Sequence, residues 1–353
     1  MMDITPFSIE SLISIITKAE KIAIVSHMKP DGDAIGSTSG MYHFLGMLGK
    51  EHRKIVLPHR APGYLDFLYD KTMIKDTVVY EHKPRPAIKA IAESDLIICL
   101  DFNAFHRTDA LEGALQESSA TKILIDHHLN PDREKFDLIF SETEISSASE
   151  LTYQILMKTP IIGGDAKKLP ARAAEALMTG MTTDTNNFAN SVFPSTLRMA
   201  SELIEAGVDR GMIISNLYNQ YKETRLRLMG VVLKDLMTIT PDGVAYIILN
   251  KDILKEYYIE DGDTEGFVNL PLSIAKVKMS IMLKEDGDKV RVSIRSKKGV
   301  SANRCSQLHF NGGGHENAAG GRLFMPQDIK NIEEAAAYIE KHTHTFMTCE
   351  NEQ

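Results

Sequence analysis

Hydrophobic and polar positions follow two different rhythms along the 353 residues. In the first half the apolar positions come in short unbroken runs rather than in alternation. The runs are KIAIVSH (21–27), KIVLP (54–58), DLIICLDF (95–102), TKILIDHH (121–128) and FDLIF (136–140). A strand whose successive residues are all apolar is covered on both faces, which is the situation in a parallel sheet. Ile9, Leu12, Ile13 and Ile16 are spaced for one face of an opening helix, and 34–49, 104–117, 146–158 and 170–181 also carry helical patterns. Strand and helix in alternation predict an α/β domain, an open and mostly parallel sheet with helices on both faces. From 196 to 237 the spacing is helical throughout. After Asp242-Gly243 it becomes strand-like, with VAYIIL, KVKMSIML and KVRVSIRS, the last two joined by EDGD as a hairpin turn. The pattern divides the chain into a catalytic-sized α/β domain over 1–195, a helical connector over 196–229 and a smaller α+β domain over 230–345. The tail after about 345 is expected to fray.

Charge and cysteine content narrow the class of partner. A formal net charge of −8 excludes a broad basic surface for long duplex nucleic acid but leaves room for a short anion in one local cleft. Three scattered cysteines give neither a disulfide framework nor a CxxC metal pair, which fits a reducing cytoplasm. No apolar run approaches the roughly 18 residues of a membrane span, and no signal peptide is evident. The expectation is a soluble cytoplasmic protein that does not engage membranes.

Candidate chemistry gathers where the strands end. KIAIV leads into SHMKPDGDAIGS with His27, Asp31 and Asp33, LIICL runs into Asp101, and KILI runs into Asp126, His127 and His128. Taken singly, each is an ordinary polar loop. Open α/β sheets, however, bind ligands beyond the carboxyl ends of their strands, so three such endings would share one rim. That many carboxylates repel one another unless divalent cations neutralise them. The donor set is too rich in carboxylate for a closed zinc site and suits Mn²⁺, with Mg²⁺ next. TGMTTDTNNFAN (179–190) offers Asp184, in a Thr/Asn-rich loop after a helix, as a closing member.

In order along the chain, HMKPDGDAIGS, LDFNAFHR, IDHH, MTTDTNNF and NGGGHENAAGG (311–321) resemble the DHH phosphoesterase family, in its RecJ-like and nano-RNase branch with a DHH-associated C-terminal domain. The resemblance implies two Mn²⁺ ions, Mg²⁺ being possible. His27 and Asp31 would hold one, Asp101 would bridge, and Asp33, His127 and Asp184 would complete the second. Asp126 would orient the histidines and His128 would face the substrate phosphate, both with catalytic roles. Asn186 stands where the family often has glycine, and Asn tolerates the left-handed backbone region.

In the last third, three consecutive glycines before His315 imply positive φ or close backbone approach, and their N–H groups could form an anion nest. RVSIRSKKGVSANR (291–304) carries five basic residues and no acidic one, a local phosphate pocket in an acidic chain. Arg295 and Ser296 match the family's Arg-Ser pair. With Gly313, Gly314 and His315 they are the expected substrate-binding residues. The function implied by resemblance is two-metal activation of water to hydrolyse RNA of two to about five nucleotides, linear pApA or 3′-phosphoadenosine 5′-phosphate, giving nucleoside monophosphates, in a possible homodimer. Two other readings stand beside it: an inorganic pyrophosphatase or exopolyphosphatase, and a catalytically silent nucleotide-binding module.

Overall fold

The computed structural model describes residues 4–260 and 262–350 and separates into two compact units, with the division after Gln220. The first unit is built on six parallel strands: β1 (Ile22–Val25), β2 (Arg53–Leu57), β3 (Thr77–Val79), β4 (Leu96–Leu100), β5 (Thr121–Asp126) and β6 (Leu138–Ser141). Their order is β3-β2-β1-β4-β5-β6. The unbroken apolar runs have the expected cause, because alternate residues of one strand enter different cores. Ile22, Ile24, Ile98 and Ile125 pack with the helices Pro6–Lys18, Gly32–Met47, Ala148–Met157 and Ala171–Asp184, whereas Ala23, Val25, Cys99 and Leu124 pack with Pro84–Ala92 and Glu112–Glu117. Strands β1 and β4 are neighbours from which the chain proceeds in opposite directions, so a crevice opens beyond their carboxyl ends.

Two helices meet there at unusually short range. A Cβ added at Gly36 would lie 2.6 Å from the Ala176 carbonyl oxygen, and one at Gly32 would lie 2.3 Å from Thr183 Oγ1. The small residues in GDAIGSTSG and MTGMTTD let the backbones of Gly32–Met47 and Ala171–Asp184 touch, and this brings Asp184 toward the strand ends. Asp184 is the last residue of its helix rather than a member of the following loop.

Several expected boundaries differ. The 104–117 pattern forms a 3-10 turn, Phe105–Leu111, broken at Asp109 before the short helix Glu112–Glu117. The stretch expected as a connector divides between two cores. Met199, Leu203, Ile213 and Leu217 pack in the first unit, while Leu228 and Val232 pack in the second. The chain leaves the helix Arg210–Tyr218 and re-enters helix only at Glu223–Val231.

The second unit carries a six-stranded sheet of β7 (Met237–Ile239), β8 (Val244–Leu249), β9 (Met279–Asp286), β10 (Lys289–Ser296), β11 (Gly313–His315) and β12 (Ala318–Phe324), ordered β11-β12-β10-β9-β8-β7. Only β8 and β9 pair in parallel. The EDGD turn is a two-residue hairpin loop with Gly287 at φ 66°, a glycine where the turn requires positive φ. Val290, Val292 and Ile294 of β10 face a core closed by the helices Ala302–His309 and Ala335–Glu350. That last helix overturns the expected fraying after 345: Phe346 and Met347 are buried in the core and hold the chain in helix to Glu350. Among the described residues no helix is long and apolar enough to cross a membrane.

Candidate metal centre

Each strand that ends at the crevice delivers side chains to it. After β1, His27 is buried and its Nδ1 lies 2.8 Å from the Met28 carbonyl oxygen, an acceptor, so Nδ1 carries the proton and Nε2 faces inward. Asp31 caps the helix Gly32–Met47, its Oδ1 accepting from the N–H groups of Asp33 and Ala34 at 3.0 and 3.1 Å. Beyond β4, Asp101 takes a left-handed conformation (φ 63°) and is 3% exposed. At the end of β5, Asp126 is fully buried. Its Oδ1 accepts from His128 Nδ1 at 2.7 Å and its Oδ2 from the His128 N–H at 3.1 Å.

The expected ligands fall into overlapping groups of three whose donor atoms lie within 4.8 Å of one another: His27 with Asp31 and Asp101, Asp33 with His127 and Asp184, and Asp101 with His127 and His128. His27 Nε2 stands 3.3 Å from Asp101 Oδ2 and 3.8 Å from Asp31 Oδ1. His127 Nε2 is central to the second group, 3.5 Å from Asp101 Oδ1, 3.7 Å from Asp184 Oδ2 and 4.0 Å from Asp33 Oδ2. Asp101 therefore faces both groups. Asp126 accepts from His128, whereas His127 Nε2 faces Asp33, Asp101 and Asp184.

One feature of the centre escapes sequence reasoning. Asp33 Oδ2 accepts from the Ala148 N–H at 2.6 Å and Oδ1 from the Ser149 N–H at 2.9 Å, so the first turn of the helix Ala148–Met157 holds this buried carboxylate. The spacing Ser147-x-x-Glu150 is a helix-start signal, and Ser147 Oγ does accept from the Glu150 N–H. Nothing local says that an aspartate 115 positions away would share that helix end.

The electrostatics are those of a site that needs cations. Burial works against the charged form of His27, but Asp101 and Asp31 outweigh it and push its pKa up to about 11. His127, also opposed by burial, is pushed up to about 10 chiefly by Asp101. Asp101 is held below the usual carboxylate range despite its burial, because both imidazoles donate to it. Burial and then Asp101 raise Asp33 well above that range, and burial raises Asp184 to about 7. Protons on the histidines thus neutralise the carboxylates in the metal-free protein. A mixed set of carboxylate oxygens and imidazole nitrogens at this spacing fits divalent cations, which would replace those protons. Since His27 and His127 hold protons at pH 7 and a cation needs their lone pairs, divalent-metal affinity should rise as pH increases from 6 to 8. Calorimetric Mn²⁺ titrations in buffers of different ionisation enthalpy should register net proton release. Affinity independent of pH, with no proton released, would contradict this electrostatic account.

The residues expected to bind substrate lie in the second unit. The pairing of β11 with β12 and of β12 with β10 sets His315, Ala318 and Arg295 side by side. Directly opposed residues share a sheet face, so His315 and Arg295 stand on one face, two strands apart. Arg295 is half-buried, with its pKa lowered by burial against the opposing influence of Glu265, and its Nη1 donates to the Ile294 carbonyl. Ser296 is turned inward: its hydroxyl donates to the Val300 carbonyl at 2.6 Å and accepts from Asn317 Nδ2. The glycines form no nest. Gly313 and Gly314 belong to the edge strand β11, and the Gly314 N–H donates to Asn303 Oδ1 at 2.8 Å. Close approach explains Gly312 and Gly314, since a Cβ at Gly312 would lie 1.9 Å from the Gly320 carbonyl oxygen and one at Gly314 2.5 Å from that of Ala318. Asn186 takes the expected left-handed conformation, at φ 46°.

Two family models match the chain. Residues 21–181 match the model of the DHH family N-terminal domain, and 242–341 match the DHHA1 domain. The bifunctional oligoribonuclease and PAP phosphatase NrnA of Bacillus subtilis is 28% identical over 91% of this chain and 95% of its own length. The protein of the same description from Thermus thermophilus is 30% identical over 88% of this chain and 87% of its own. A crystal structure of an exopolyphosphatase-related protein from Bacteroides fragilis superposes with a TM-score of 0.90, at 37% identity and 98% coverage of both chains.

Proposed function

The chain belongs to the DHH phosphoesterase family, and from that premise we propose that it is a metal-dependent hydrolase of short nucleotides. Its substrates are RNA of two to roughly five nucleotides, pApA and 3′-phosphoadenosine 5′-phosphate, and it releases nucleoside monophosphates. The observation that carries the proposal is the meeting of His27, Asp31, Asp33, Asp101, His127 and Asp184, from distant parts of the chain, in two groups with ligand spacing. In this reading His27 and Asp31 would hold one cation, Asp33, His127 and Asp184 would hold the other, and Asp101 would be available to both. Mn²⁺ suits the donors best, with Mg²⁺ next. A bound pair of divalent ions supplies Lewis acidity toward phosphate oxygens and makes water a competent nucleophile at neutral pH.

The chain's own groups do the remaining work. Asp126 fixes the His128 ring through Nδ1 and the backbone N–H, so the Nε2 edge serves the substrate phosphate as electrostatic stabiliser or proton donor. Arg295 and His315 recognise the nucleotide away from the scissile ester, with the planar guanidinium on phosphate oxygens. The buried thiols Cys99 and Cys305 suit a reducing cytoplasm.

The decisive test is hydrolysis of a length series, from mononucleotide bisphosphate to a 24-mer, with pyrophosphate and polyphosphate included and Mn²⁺ and Mg²⁺ compared. The expected result is fastest release of nucleoside monophosphate from the shortest RNAs or of orthophosphate from the bisphosphate. Preferential attack on polyphosphate would overturn the substrate assignment, and no turnover of any member would leave a binding module. In the same series Arg295→Ala should raise KM for dinucleotides on the order of tenfold, through loss of a charge-assisted pair, while hydrolysis of an artificial mononucleotide ester hardly changes. Equal effects on both would remove Arg295 from substrate recognition.

A further inference from the structure

A histidine outside the cation groups is hydrogen-bonded to the peptide that also contacts one of their members. Strands β1 and β2 pair in parallel with Val25 opposite Val56, so Met28 and His59 emerge at the same level beyond the sheet. The Lys29 N–H donates to His59 Nδ1 at 3.2 Å. That contact uses the Nδ1 lone pair, which places the proton of the neutral ring on Nε2, 3.6 Å from Asp109 Oδ2. The Lys29 N–H and the Met28 carbonyl are the two ends of one peptide unit, and the carbonyl end accepts from His27 Nδ1 at 2.8 Å.

The orientation of this peptide is not the one its residues prefer. Lys29 sits at φ 52°, in the left-handed region that a lysine seldom enters. Flipping the Met28–Lys29 peptide would carry Lys29 to negative φ and at the same time turn the Met28 carbonyl away from His27. Met28 is tethered on its other side, where its N–H donates to the Arg107 carbonyl at 2.7 Å, but that bond does not fix the following peptide. The hold on the following peptide comes from the His59 ring, which accepts from its N–H end.

We propose that His59 is a positioning residue for the metal centre. It holds the Met28–Lys29 peptide in its strained orientation, so that the Met28 carbonyl keeps the proton of His27 on Nδ1 and presents the Nε2 lone pair to a cation shared with Asp31 and Asp101. The inference rests on the assignment of His27, Asp31 and Asp101 as ligands of one cation. Partners of this kind set the tautomer and ring orientation of a ligand histidine, and their loss weakens metal binding about 10–100-fold.

Calorimetric Mn²⁺ titration of metal-stripped protein tests it. His59→Ala should weaken binding at least about tenfold. The Asn and Gln variants separate positioning from packing, because an asparagine oxygen reproduces the Nδ1 acceptor whereas a glutamine places its polar atoms near Nε2. His59→Asn should bind Mn²⁺ nearly as tightly as the wild type and His59→Gln as weakly as the alanine variant; this contrast also decides the matter if His59→Ala does not fold. Gln restoring binding as well as Asn, or Ala binding like wild type, would overturn the proposal. His27→Ala is the reference. Its loss of Mn²⁺ affinity alongside an unaffected His59→Ala would sink this inference alone, and undiminished binding in His27→Ala would bring down the metal assignment and this inference together.

Discussion

Replacing Asp101 by asparagine should reduce kcat/KM on the preferred short nucleotide by at least about a thousandfold, roughly 4 kcal/mol of transition-state stabilisation, while the protein stays folded. The size of the effect follows from position. Asp101 is the carboxylate that faces both histidine-centred groups, 3.3 Å from His27 and 3.5 Å from His127, so its loss damages both cation sites together. Survival of the fold follows from the protonation pattern. Burial disfavours charge on His27 and His127, and Asp101 is the leading influence that keeps them protonated. Without it their pKa values fall, while Asp31 still faces His27 and Asp33 and Asp184 still face His127, so neither imidazole is left without a carboxylate partner. Asp33, raised by burial and then by Asp101, is relieved of a repulsion as well. Asparagine is the better probe than alanine because Asp101 stands at φ 63°, a region asparagine tolerates. The measurements are kcat/KM and a thermal melt of the metal-free protein. Wild-type turnover in this variant would overturn the assignment of the centre.

The strand ends are legible in the sequence because burial on both faces writes an unbroken apolar run, and a polar residue at its end has few reasons to be there. His27, Asp101 and Asp126 to His128 stand out on that basis. β3 and the helices around it escape because Thr77–Val79 is a short edge strand with little apolar signal. The glycine segment misleads for a different reason. Three glycines signal close backbone approach, which the structure bears out, but glycine says nothing about whether the neighbour is a ligand or another strand. The neighbour in this chain is β12. The division at Gln220 is hidden because helical spacing runs almost continuously from 212 to 237, and spacing within a helix does not reveal which core its apolar face joins. Asp184 reads as a loop residue because threonines and asparagines surround it; a contact between helices far apart in sequence holds it in place.

That helix contact gives the other large expected effect. Gly36→Ala should cost about 1–3 kcal/mol of stability, several degrees of melting temperature for a unit of this size, and should also weaken Mn²⁺ binding. A Cβ at Gly36 would lie 2.6 Å from the Ala176 carbonyl oxygen, 2.7 Å from Gly180 Cα and 2.8 Å from Gly180 N. All three are backbone atoms within a helix and cannot move aside singly, so the helices Gly32–Met47 and Ala171–Asp184 must separate by roughly an ångström to restore ordinary contact. Asp33 lies three residues before Gly36 and Asp184 four residues after Gly180, so the separation acts directly on the two carboxylates that face His127. A loss of affinity on the order of tenfold is expected for that cation. Gly113→Ala is the control. It lies in the helix Glu112–Glu117 with nothing within 4 Å of its Cβ position, and the added methyl should be neutral or slightly stabilising through helix propensity. If Gly36→Ala melts and binds Mn²⁺ as the wild type does, the two helices do not meet at backbone contact, and close helix packing is not what places Asp184 at the strand ends.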